Sequence, residues 1–193
     1  MKKILIFLWT LLDPLYFRFT RLDYIYHPSH KNTRSIFRIR LISYKGKTFT
    51  LSDHTTIHKQ DLVIKIHLHN IRLIQDTHDI KNDIPKARYV YREVQRSLPL
   101  LAGYLQHHDK TEQIKGIMGI TTMNKGCGRL GFDLFDIPYP FYKWMKMIPF
   151  MGIRLLSAQT PSFSDLLKKQ PKYIFMSKDK LLSTYKTRDD TPS

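Results

Sequence analysis

The sequence predicts an α+β fold: a single domain with a mostly antiparallel sheet of about six strands, flanking helices and a helical N-terminus. Three observations carry this. Some apolar runs repeat every second residue and others every three to four, in the order helices, three strands, helix, two strands, helix, strand, helix. The 193 residues suffice for one well-buried core. No repeat, linker or low-complexity stretch marks a second domain.

The chain opens with "MKKILIFLWTLLDP", two lysines followed by an apolar run from Ile4 to Leu12. The run imitates a signal peptide, but no small-residue cleavage site follows it. It is also only about half the roughly 20 residues that span a bilayer. It is therefore expected to be a helix that packs on the core or lies at a membrane surface. Asp13-Pro14 supplies an N-cap and a first helical position, and Leu15, Phe19, Leu22 and Tyr26 follow at helical spacing. Residues 1–26 are thus expected as a helical N-terminal segment, residues 27–186 as the α+β domain, and residues 187–193 as a tail.

After a polar connector, "IFRIRLISY" puts Phe37, Ile39 and Leu41 on one face and Arg38 and Arg40 on the other. "KGK" and "TFTLSD" then predict a hairpin with it. In "DLVIKIHLHN", Leu62, Ile64, Ile66 and Leu68 share one face, and Val63, Lys65, His67 and His69 the other. Pro85 and the capping residues before it open a helix with a stripe of Val90, Val94, Leu98, Leu101 and Leu105; Pro99 should kink or split it. "GIMGITTM" and "LGFDLFDI" read as strands, joined into a hairpin by the glycines of "NKGCGR". "PYPFYKWMKMIPFMGIRLL" and "SFSDLLKKQ" read as helices, "KYIFM" as a strand and "SKDKLLSTY" as a last helix opened by Ser177.

Hydrophobic residues at 42% and aromatics at 12% exclude wholesale disorder. Thirty-two Lys and Arg against 16 Asp and Glu give a net charge of +16, a field that favours nucleic acid, acidic headgroups or acidic glycans. The single cysteine, Cys127, excludes an intrachain disulfide and fits a reducing cytoplasm.

His67 and His69 pose the main chemical question. Residues two apart on a strand project from one face, so the pair could offer two metal ligands, or His67 could act as an acid–base group. No third ligand stands at diagnostic spacing, and the polar face of a half-buried strand explains both rings; no metal and no cofactor are assigned. Asn70 reads first as a turn residue. Asp133 and Asp136 are not spaced as a catalytic pair, and "MNKGCGRLG" lacks the lysine and hydroxyl of a phosphate loop. "LYFRFTRLDYIYH" and "PFYKWMKMIPF" mix rings with cations, which suits core packing, the headgroup boundary or stacking on bases. Nucleic acid is the weaker partner, because the cations are spread and no recognition motif is present.

"LWTLLDPLYFRFTRLDY", "FRIRLISYKGKTFTLSDHTTIHKQDLVIKIHLHNIRL", "GRLGFDLFDIP" and "PKYIFMSKDKLLSTY" resemble the YkoP-like family over about residues 5–186. The most telling pattern is Asp61, Ile66, His67, Leu68 and Asn70. Where that family tends to have Asp-Gly-Thr, this chain has Asp53-His54-Thr55. Where Gly-Asp is common, it has Gln60-Asp61. His69 replaces a small or acidic residue, which counts against a His-x-His metal site.

A similar domain occurs fused to polysaccharide deacetylases, so the resemblance implies company with cell-envelope polysaccharide or glycolipid metabolism. It implies no established reaction. The expectation is a cytoplasmic protein, peripheral at the inner membrane face, acting as a binding or accessory module. Its expected partners are an anionic glycan, a glycolipid or an acidic membrane surface, and a polysaccharide deacetylase or other envelope enzyme. The rivals are an enzyme using His67 as acid–base residue, with Asn70 and Asp61 in support, and nonspecific nucleic-acid binding.

Overall fold

A computed structural model describes residues 22–26, 34–138 and 170–186. Its main sheet has six strands in the order β1-β2-β5-β6-β8-β7. These are β1 Asp23–Tyr26, β2 Arg34–Ser43, β5 Leu62–Leu68, β6 Ile114–Thr121, β7 Asp133–Asp136 and β8 Lys172–Ser177. Only β5 and β6 pair in parallel. That connection needs a crossover, supplied by α1 Asn70–Asp76 and α2 Asp83–Gln106. β3 Phe49–Thr50 and β4 Thr56–Ile57 form a separate two-stranded sheet, and α3 Lys178–Tyr185 closes the described chain. The expected α+β architecture is therefore observed.

The two faces of the sheet carry two cores. On one face, Ile39, Ile64, Ile66, Ile117 and Ile174 pack with Leu98, Leu101 and Leu105 of α2 and Leu181 of α3. Helical period meets strand period there, burying both apolar stripes. On the other face, Val63, Met118, Tyr173 and Phe175 pack with Tyr44, Leu51 and Ile57 around the small sheet.

Four sequence expectations need correction. The helical spacing read through Tyr26 gives way to strand at Asp23–Tyr26, where "DYIY" pairs with β2. β2 does not form a hairpin with the following segment; it pairs with β1 and β5, while Phe49–Thr50 pairs with Thr56–Ile57. β6 and β7 are not a hairpin either, because β8 lies between them. The reason lies in β8 itself: Tyr173 to Ser177 are all buried, so both faces need cover and the strand belongs inside the sheet. Lastly, α2 is not split at Pro99 but continues through it to Gln106. One lost backbone bond is outweighed where Leu98, Leu101, Ala102 and Leu105 are wholly buried around it. The helices expected over residues 1–21 and 139–169, including Ile4 to Leu12, and the tail lie outside the described residues.

Ser177 caps α3 as expected, its Oγ accepting from Lys180 N at 3.0 Å. The same hydroxyl donates to Asp53 Oδ2, and Asp53 Oδ1 accepts from Thr55 N at 3.1 Å. Lys180 Nζ reaches Ser52 Oγ at 3.0 Å, and Ser52 donates on to Asp133 Oδ2 at 3.0 Å. Partial burial pushes the Asp53 carboxyl up, but its hydrogen bonds to Ser177 and Thr55 and the Lys180 charge outweigh this and hold it below the ordinary carboxylate value. This network clamps the β3–β4 loop to the start of α3.

That loop holds His54 at φ 66°, and Gln60 stands at φ 76° before β5. Both are left-handed conformations that cost an L side chain about 1–2 kcal/mol. They are also the two positions where the YkoP-like resemblance leads one to expect glycine. His54→Gly and Gln60→Gly should each raise the unfolding free energy by roughly 0.5–1 kcal/mol, after the entropy glycine adds to the unfolded chain. Urea midpoints check this, and unchanged or lower midpoints would disprove it.

Candidate functional site

The second sheet face changes character along its length. Register pairs Ile42 with Val63, then Arg40 with Lys65, then Arg38 with His67. The apolar pair belongs to the core under the small sheet. The next two pairs are basic. Directly opposed side chains stand about 5 Å apart at Cβ, so the four form one continuous basic row.

β1 extends the row. Tyr24 is the register partner of Arg38, and its hydroxyl accepts from Arg38 Nε at 3.1 Å and Nη2 at 2.7 Å. Arg38 is only 4% exposed. A guanidinium so buried must be well satisfied, because an unpaired buried charge is costly. Arg40 is exposed, and Tyr24, Lys65 and His67 are half-buried.

His69 lies on the same face, just beyond the end of the strand, against Arg38 and Tyr24. β5 ends at Leu68, and His69 is the N-cap of α1, its ring turned so that Nε2 lies 2.7 Å from Arg38 Nη2. Arginine can only donate, so Nε2 is the acceptor and the neutral ring carries its proton on Nδ1. The two histidines thus stay on one face: His67 is the register partner of Arg38, and His69 grips the same guanidinium from the strand end.

Asn70 is the first residue of α1 and half-buried, beside this end of the row. It opens a helix whose Ile71, Leu73 and Ile74 are buried. Asp61 is not part of the group. It precedes the other end of β5, six residues and roughly 20 Å from His67 along the strand, where Oδ2 accepts from His58 N at 2.7 Å. Among the described residues, no group of three or more His, Cys, Asp or Glu could hold a metal ion.

Sequence reasoning missed Tyr24 and the central position of Arg38. The signal was present in "FRIRLIS", where two arginines alternate with apolar residues. Their convergence with Tyr24 and His69 depended on pairings the sequence does not display.

The row defines a sheet protein in which one end of one face, beyond its apolar core, is dominated by cations. The chain belongs to the YkoP family: the family model described as "YkoP domain" matches residues 2–185. A protein of Bacillus subtilis (strain 168) described as "Uncharacterized protein YkoP" is 41% identical over 189 residues, covering 98% of this chain and 100% of that protein. No solved structure matches. No helix among the described residues is long and apolar enough to cross a membrane.

Proposed function

We propose that this chain is a binding or accessory protein for an anionic ligand of the cell envelope: an acidic glycan, a glycolipid or a lipid headgroup. The observation that carries the reading is the row of Arg38, Arg40, Lys65 and His67 on one sheet face, flanked by Tyr24 and His69. Cations held on neighbouring strands are pre-organised, so little ordering entropy opposes binding. The net charge of +16 adds long-range attraction. The chain works at the cytoplasmic face of the membrane, helped by the apolar Ile4–Leu12 run, and accompanies a polysaccharide deacetylase or similar envelope enzyme.

Co-flotation with vesicles tests the proposal. The full chain should float with vesicles containing acidic lipid and stay down with neutral ones, and added salt should release it. The double charge reversal Arg40→Glu with Lys65→Glu should weaken flotation by up to about a thousandfold, at roughly 1 kcal/mol for each charge near the surface, counted twice on reversal. Retention on immobilised dextran sulfate but not dextran covers the glycan arm. Failure to bind either polyanion at low salt rejects the reading, and duplex DNA competing better than both would favour nucleic acid instead.

A further inference from the structure

The opposite, helix-covered face of the sheet holds a cavity of about 110 Å³. Its floor is formed by Ile66, Gly119 and Ile174, and its wall by Ala87, Tyr91 and Val94 of α2. Gly119 lets the side chains of Ile66 and Ile174 close tightly over β6 at the base of the cavity. A Cβ there would lie 3.1 Å from Cγ1 of both, so this position is already covered and the open space lies beside these side chains. Cores do not keep such space without cost, because voids forfeit dispersion contacts. For scale, an apolar cavity of about 150 Å³ stays dry and takes up benzene.

The rim is different in kind. It is made by the loop after β6, with Met123 40% exposed, Lys125 exposed and Cys127 half-buried. Gly126, at φ 92°, turns this loop back against Tyr91. The thiol of Cys127 lies 3.1 Å from Met123 O, and burial pushes it up, so it stays a protonated, largely apolar wall group. On α2, the wall residues Ala87, Tyr91 and Val94 form one helical stripe that continues outward to Ile84, which is 75% exposed. An apolar path thus leads from solvent into the cavity, with one cation beside the entrance.

We propose that this cavity is a binding site for a small amphiphilic anion, with a short aliphatic or ring-sized apolar end inside and a carboxylate or phosphate at Lys125. The apolar lining selects the buried end and Lys125 the charged one, the usual division in ligand pockets. The site lies on the other face from the basic row and does not depend on it.

Hexanoate, hexan-1-ol and hexylamine share one chain and differ in head charge, and titration followed by amide shifts of Gly119 and Gly126 tests all three. Hexanoate should give saturable shifts, hexan-1-ol weaker ones and hexylamine the weakest. Lys125→Gln should weaken hexanoate by roughly fivefold, the scale of one exposed ion pair, and leave hexan-1-ol unchanged. Ala87→Trp, at an exposed helix position, should close the entrance and abolish the shifts. Val94→Ala, which widens the wall, should tighten octanoate relative to hexanoate and keeps the test meaningful if the tryptophan disturbs the helix. Absence of saturable shifts in the parent chain, or shifts that survive Ala87→Trp in a folded protein, overturns the site. Equal binding of the three heads overturns the role of Lys125.

Discussion

Phe175→Ala should lower the unfolding free energy by about 3–5 kcal/mol. Phe175 is 1% exposed in β8, where it is paired with Met118 of β6 on one side and Asp133 of β7 on the other. Its ring meets Tyr44 edge-on at 5.6 Å and lies 5.5 Å from Phe49, 5.9 Å from Phe135 and 5.9 Å from Tyr173. These rings come from β3, β7, β8 and the residue just after β2, so truncation opens a hole where the small sheet docks on the large one. Stiff aromatic walls on separate strands cannot collapse into the space, which places the loss in the upper part of the range. A chain of this length should lose roughly 10 °C in melting temperature. Thermal and urea unfolding would measure both quantities. A loss below about 1 kcal/mol would mean that the second core is not tightly packed, contrary to the contacts given.

The residues that read clearly in the sequence are those whose pattern is local. Alternation in "LVIKIHL" gave the correct sides for Leu62, Ile64, Ile66 and Leu68, which all join the helix-side core, and for Val63, which joins the other. The stripe through Leu98, Leu101 and Leu105 gave α2, and Ser177 gave the start of α3. Strand pairing was not legible, because it depends on contacts between residues far apart in the chain. "KGK" and "NKGCGR" look like hairpin turns, yet each precedes a strand that pairs elsewhere. The short α1 carried no side-chain cap to announce it, and seven residues hold too few turns for a period to stand out. The candidate site suffered most from this. His67 and Asn70 are legible as chemistry-bearing residues, but the resemblance pattern sets Asp61 beside them, and the length of an extended strand separates it from them. Gly119, inside an apolar strand, is a signal of close approach, here by the side chains of Ile66 and Ile174.

Arg38→Met should cost about 2–3 kcal/mol in stability, since it removes charged hydrogen bonds to Tyr24 and His69 from a site almost closed to water. It should also change His69. Without a donor at Nε2, the preference for a proton on Nδ1 weakens, and the ring nitrogen shifts in NMR spectra should move toward tautomer averaging. Arg38→Lys separates charge from shape, because an ammonium keeps the charge but cannot serve Tyr24 and His69 through one planar fork. If the guanidinium belongs to the anion-binding row, binding to acidic vesicles should fall most with methionine and partly with lysine. If the folded methionine variant instead binds as well as the parent chain, Arg38 is a strut that fixes β1, β2 and the start of α1. Anion binding would then rest on the outer cations Arg40 and Lys65, which the double charge reversal removes while Arg38, Tyr24 and His69 stay in place.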